Sequence, residues 1–269
     1  AIDVSKGAGG TTDGTIQLQA TDSIIDNATG KLIGDTNGNL VAKTTNTAGT
    51  AKISLLGNGT SSLSTNNAMA NAAFATATSG DGSITYYDST GLGITTVGGQ
   101  GALSAPAAGV LASSAASTSG ITTVAGGTAN GKVVIGAGTS NAHALTVDQP
   151  INTTPGTAGI AGGTVTLEAT GAITLTAANS GTITTTGNTS GAGGEVFIHH
   201  TNAGPADITL GKNVTATCGT SGNGGVITVM NDNGNIFVNA AIDASGAGGG
   251  NGGTIQLASV SGAGALGNW

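Results

Sequence analysis

The chain has 269 residues, of which 50 are Gly, 7% are charged, 2% are aromatic and 38% are hydrophobic, with a formal net charge of -7. That is far from an ordinary globular domain, with about 25% charge and about 7% Gly, yet too apolar and too weakly charged for a disordered chain. Only four prolines and no glycine period of three exclude collagen, and six lysines without a single arginine exclude a nucleic-acid partner, since Lys and Arg neutralise phosphates and Arg reads base edges.

Cys218 is the sole cysteine, so no intrachain disulfide can form. No run of about 18 apolar residues exists to span a membrane. The chain opens "AIDVSKGAGG", without Met and without the basic and apolar regions of a signal peptide. A mature chain, or a piece of a longer one, is expected.

Along the chain, short runs of alternating apolar and polar residues follow glycine-rich corners. "DGTIQL" (13–18), "TAKISLL" (50–56), "DGSITY" (81–86) and "NGKVVI" (130–135) come first. They are followed by the clearer series "GGTVTL" (162–167), "GGEVFI" (193–198), "GGVITV" (224–229) and "GGTIQL" (252–257). The last four are spaced by about 31, 31 and 28 residues, a period that marks a solenoid. Each unit contains three strand-like pieces, as in "TVTLEA", "AITLTA" and "TITTTG" from residue 164 to 187.

Period-two alternation places Val165/Leu167, Val196/Ile198, Ile227/Val229 and Ile255/Leu257 on one inward face. Ile173/Leu175, Ile208/Leu210 and Ile236/Val238 fall on a second, and Ile183, Val214 and Ile242 on a third. Three strands per coil, each stacked on its counterpart one repeat later, predict an all-β, right-handed parallel β-helix of about eight coils. At a strand spacing of ~4.8 Å the rod is roughly 40 Å long. Its interior is expected to be a column of Val, Ile and Leu, with threonines as the outer skin. A barrel or a sandwich would need tight hairpins, whereas here "TGNTSGAGG" and "CGTSGNGG" form long corners after every third strand.

Residues 1–269 read as a single β-helix domain with less regular segments near 64–80 and 102–120. "STNNAMANAAFATATSG" (64–80) and "ALSAPAAGVLASSAASTSG" (102–120) are Ala-Ser-rich, and are predicted as corner insertions, the first as a short helix. "GITTVGG" (93–99) and "GITTVAGG" (120–127) mark the coil resuming around the second.

The repeat "GGTVTLEATGAITLTAANSGTITTTGNTSGAGG" resembles the β-helical repeats of filamentous haemagglutinin-like adhesins and related autotransporter passengers. The resemblance is clearest from residue 131 to 259. It implies a bacterial cell-surface or secreted protein with a structural, adhesive role and no catalytic residues. The NPNL- and NPNG-type motifs of that family's secretion domain do not occur here.

Residues capable of chemistry are scattered. Asp22, Asp26 and Asp35 lie near corners, and Glu168 and Glu195 stand alone in separate coils, so the paired carboxylates of a glycosidase or a Ca²⁺ cage are not visible. His199 and His200 point to opposite sides of a strand and cannot share a metal; His143 lies about two repeats upstream. A surface or corner role is expected for the histidine pair. Cys218 is expected as a small buried residue, without an activating partner. The glycine runs lack the Lys-Ser/Thr and the helix of a phosphate loop, and the regular Asp of a Ca²⁺-binding glycine repeat is missing. Catalytic, cofactor and metal sites are therefore all expected to be absent, and the protein not to be an enzyme.

Thr164/Thr166, Thr174/Thr176 and Thr182/Thr184 suggest an ice-binding ladder, but on the first face it runs into Glu195 and Phe197 in the next coil. Asn27, Asn58, Asn152, Asn188 and Asn213 head Asn-x-Ser/Thr triplets and are potential glycosylation sites. The two ends match: "AIDVSKGAGGTTDGTIQLQA" (1–20) parallels "AIDASGAGGGNGGTIQLAS" (241–259), and neither is a polar cap.

The expectation is an extracellular adhesin shaft or self-assembling fibre, continued by a longer parent chain or by head-to-tail stacking with itself. Surface glycans are potential partners. The alternative is a carbohydrate-binding or carbohydrate-active β-helix, with outward Asn and Thr and the Tyr86-Tyr87 pair meeting sugars; an ice-binding solenoid is a minor one.

Overall fold

A computed structural model of the protein describes residues 2–3, 5, 14–26, 30–34, 37–47, 50–57, 67–77, 82–98, 117–123, 131–139, 142–201, 204–261 and 265–266. Among these residues there is no helix, and the strands stack in parallel as a β-solenoid of about 6 turns with ~31-residue spacing. The first face is a ladder running from Ile24–Ile25 through Ile53–Leu55, Ile84–Asp88, Lys132–Ala137, Thr164–Ala169, Glu195–His200 and Val226–Asn231 to Thr254–Ser261. Its register is the one the alternation predicts: Val165 pairs with Val196, Val196 with Ile227 and Ile227 with Ile255. On the second face Ile173, Ile208 and Ile236 are in line, and on the third Ile183, Val214 and Ile242.

The recurring glycine pair has a mechanical cause. A Cβ on the second glycine would strike a glycine carbonyl one coil back. Gly194 would meet Gly163 O at 2.0 Å, and Gly225 would meet Gly194 O at 2.0 Å. A Cβ on the first glycine would strike the next coil, as Gly162 would at Thr185 O (1.8 Å) and Gly224 at Ala244 O (1.8 Å). Each pair is thus clamped between its neighbours, and only a residue without a side chain allows rungs to close to hydrogen-bonding distance at that corner.

The amino-terminal half departs from expectation. The chain makes about 6 turns, not eight, and its first coils pair differently from the later ones. "DGTIQL" does not join the first face. Thr15–Ala20 pairs with Asn39–Thr44, which pairs with Asn71–Thr76. That last strand then serves two ladders, its start pairing with Leu92–Ile94 and its end with Ile121–Thr123. The second and third faces therefore diverge from one six-residue strand.

Segment 64–80 is consequently neither a corner insertion nor a helix where it is described: Asn71–Thr76 is a central strand, with Ala72 and Phe74 buried. Of segment 102–120, residues 102–116 lie outside the described residues. Thr96–Val97 and Thr118–Ser119 on either side pair antiparallel.

The interior is not purely aliphatic. Phe74 and Tyr86 are wholly buried with ring centroids 5.2 Å apart. Six threonines are buried among the described residues, and five of them, Thr44, Thr76, Thr123, Thr153 and Thr185, are in phase with an apolar residue two positions earlier. Downstream the same position is held by Ala216 and Ala244. Thr76 and Thr185 donate to backbone carbonyls of Gly82 and Thr215, whereas the Thr153 hydroxyl has no hydrogen-bond partner among the described residues. A buried, unsatisfied hydroxyl is costly, and an apolar group of the same shape is not. Thr153→Val is expected to raise stability by about 1 kcal/mol, seen as a higher midpoint of thermal unfolding; a lower midpoint would mean that the hydroxyl is bonded after all.

Candidate functional site

The strand register decides where each polar side chain projects. On the first face Tyr87, Gly136, Glu168, His199 and Met230 form one outward column. His199 Nε2 lies 3.0 Å from Asp232 Oδ1, and its ring packs beside Phe197 with centroids 5.4 Å apart. Glu195 falls between Thr164 and Val226, without a second acid in register. The threonine ladder on this face is broken by Glu195 and Phe197 as expected. His143 lies two corners away, its N–H donating to Thr170 Oγ1 at 3.3 Å. Among the described residues no group of three or more His, Cys, Asp or Glu could hold a metal ion.

His200 is a correction: it is neither at the surface nor at a corner but fully buried. Asn231 donates from Nδ2 to the carbonyls of Ala206 and Asn235, each at 2.9 Å, which turns its Oδ1 toward His200 Nδ1, also at 2.9 Å. The histidine therefore donates from Nδ1, and its buried Nε2 has no partner among the described residues. Cys218 is buried, as its small size and corner position suggested. The described sequon residues Asn152, Asn188 and Asn213 use their side-chain amides to hold turns and adjacent coils, accepting from Thr154 N, donating to Pro155 O and accepting from Ala241 N. Asp35, Asn27 and Asn58 lie outside the described residues.

Tyr86 is a second correction. Only Tyr87 faces outward; Tyr86 points into the core beside a buried carboxylate that was not anticipated. Asp88 Oδ2 accepts from the Tyr86 hydroxyl at 2.5 Å and from Met69 N–H at 2.8 Å, while Oδ1 accepts from Thr90 N–H at 2.8 Å and Thr90 Oγ1 at 2.6 Å. The Met69 bond pins the incoming chain to the first face.

Burial pushes the Asp88 carboxyl up to about 6 from its ordinary 3.8, against the lowering effect of its four donors. Between those two values the folded chain keeps a proton that the unfolded chain has released. Stability is therefore expected to fall by about 3 kcal/mol as pH rises through this window, and to be flat in this contribution on either side. Thermal unfolding between pH 3.5 and 7.5 measures it, and Asp88→Asn should lose that slope.

Exposed side chains of core type lie elsewhere, at the two extremities of the coil. Ile227 and Leu210 are 0% exposed, whereas their partners in the last rung, Ile255 and Val238, are 45% and 44% exposed, and Phe237 beside them is 46% exposed. Ile255 and Val238 stand at core positions that no further coil covers among the described residues, whereas Phe237, in register with Thr209, points outward. At the opposite end, Ile2, Leu18, Ile24, Ile25, Leu32 and Leu55 line a cavity of about 470 Å³ with Asp26 and Lys31 beside them. Ile236–Val238 and Ile242–Asp243 at one end, and Thr15–Ala20 and Ile24–Ile25 at the other, are paired along one edge only among the described residues.

Among the described residues no helix is long and apolar enough to cross a membrane. The chain is a parallel β-solenoid of repeated coils, and comparisons with family models, curated proteins and solved structures find no match to it.

Proposed function

We propose that the chain is a non-enzymatic structural segment of an extracellular adhesin or surface fibre. Its coils continue end to end into further coils, supplied by a longer parent chain or by a second copy. The observation that carries this reading is the change from fully buried Ile227 and Leu210 to half-exposed Ile255 and Val238 at identical positions of successive rungs. Unpaired strand edges beside uncovered apolar residues add readily to another strand, and solenoids stack by nearest-neighbour contacts. Burying each such side chain contributes about 1.5–3 kcal/mol. A surface with six lysines and no arginine, closed by tight glycine corners, also offers few cleavage sites to trypsin-like proteases and suits an exposed location.

Electron microscopy and sedimentation of the purified chain over a range of concentrations test the proposal. Rods that lengthen with concentration, with an axial repeat near one subunit, are the expected result for stacking copies. Short monodisperse rods that cleave polysaccharides would overturn the structural reading in favour of an enzyme.

A further inference from the structure

The second face carries an outward column that runs Asn39, Asn71, Gly93, Thr146, Thr174, Thr209. Five of these positions hold a hydrogen-bonding side chain and one holds none. The gap at Gly93 opens a cavity of about 460 Å³ lined by Asn71, Gly91, Gly93, Thr146, Asp148 and Asn37, among others. This volume is within the range of small-ligand pockets.

The glycines that make the gap are unlike the corner glycines. Like the paired corner glycines, neither has a positive φ, but the space around them differs. Outside its chain neighbours, a Cβ on Gly91 would come no closer than 3.3 Å to any atom, and one on Gly93 would meet first the Asn71 amide oxygen at 2.9 Å and then Ala70 O at 3.5 Å. A residue with a side chain could stand at either position with a small shift of one amide. The coil does not require glycine there, and the space is the consequence that remains.

The polar groups around that space are oriented. Asn71 donates from Nδ2 to Asn39 Oδ1 at 3.2 Å, which directs its own Oδ1 into the gap. Asp148 is fixed at the corner by its N–H to Ile94 O (2.9 Å) and by Thr176 Oγ1 donating to its Oδ1 (2.6 Å). Its second oxygen has no protein partner among the described residues. The Thr146 hydroxyl projects from the next rung of the same column. Two acceptors and a hydroxyl, with a negative charge, call for a ligand that donates several hydrogen bonds and carries no negative charge.

We infer that this notch is a binding site for a neutral carbohydrate, seating one sugar ring over Gly93 with its adjacent hydroxyls on Asn71 Oδ1 and Asp148. A cationic amine would meet one carboxylate already engaged on one oxygen. A glycan chain also meets Thr146, Thr174 and Thr209, which continue along the axis at rungs of about 4.8 Å. The site would give a structural shaft a lateral contact with surface glycans, and it does not depend on how the coil ends are covered.

The test is an array of neutral, sialylated and uronate-containing oligosaccharides probed with the whole chain and with Gly93→Thr, Asp148→Asn and Thr146→Val. The wild type is expected to capture neutral glycans and not acidic ones. Gly93→Thr, which fills the notch by continuing the threonine column, is expected to weaken capture at least tenfold with an unchanged circular-dichroism spectrum. Should Gly93→Thr fail to fold, Asp148→Asn carries the test, with the same tenfold loss expected. Capture of no neutral glycan, or capture unaffected by these substitutions, overturns the inference.

Discussion

Gly194→Ala is expected to cost about 3 kcal/mol, far more than an exposed alanine substitution in an ordinary turn. The methyl carbon would lie 2.0 Å from Gly163 O in the coil below, well inside contact distance, and the obstacle is backbone. That carbonyl also accepts the Glu195 N–H at 3.2 Å, so it cannot retreat without opening the first hydrogen bond of the rung. The cost therefore falls on coil–coil pairing itself. In a solenoid each coil is held only by its neighbours, so the loss should be local. Hydrogen exchange should accelerate most in Glu195–His200 and in Thr164–Ala169, the strand it stacks on, with smaller changes in Ile53–Leu55. A uniform change across all rungs, or no change, would contradict the clamped-glycine account. Gly225→Ala should behave alike, because Gly194 O stands at 2.0 Å from its Cβ position.

The same glycine pairs explain why so much of the carboxy-terminal fold was legible from sequence. From Lys132 onward each coil carries long strands with strict alternation, so pairing Val165, Val196, Ile227 and Ile255 needed only the spacing of the "GG" corners. Upstream the signal fails for a physical reason. Asn39–Thr44 and Asn71–Thr76 contain adjacent buried residues such as Leu40, Val41 and Ala42, or Ala72, Ala73 and Phe74. Both sides of these strands are covered, so alternation disappears, and an Ala-rich run then reads as a helix or an insertion.

The polar interior was legible and was overruled by residue type. Tyr86 and Asp88 are in phase with Ile84, His200 with Val196 and Ile198, and Thr153 with Ile151. Period two, carried two residues beyond the apolar pair, places all of them inside. The habit of assigning polar residues to the surface hid the Asp88 network. Gly93 was hidden differently: its neighbours in the column, Asn71 and Thr146, come from stretches without a common repeat, and only the three-dimensional register makes their gap visible.

Gly252→Ala is expected to leave the isolated coil stable and to abolish its extension. Gly252 opens the last "GG" pair, and nothing lies within 4 Å of where its Cβ would be. Its counterparts Gly162, Gly193 and Gly224 would each strike a carbonyl of the following coil at 1.8, 2.0 and 1.8 Å. The difference is that no coil follows among the described residues; the backbone at Gly252 has no positive φ to penalise alanine. In the unstacked chain the substitution should be neutral or stabilising by roughly 0.4–1 kcal/mol through the unfolded state. Against an incoming coil, the methyl group would meet the backbone that closes the corner, with a cost of about 3 kcal/mol at each junction. That corresponds to a loss of about 100-fold in association. Sedimentation should then show wild-type rods that grow with concentration and Gly252→Ala rods that do not, at equal thermal stability. Fibres that form equally well with Ala at 252 would mean that copies do not continue the coil register at this end. If the next coil instead belongs to the same chain, Gly252→Ala in that longer protein should cost as much stability as Gly224→Ala does here, since the two glycines would then face the same obstacle.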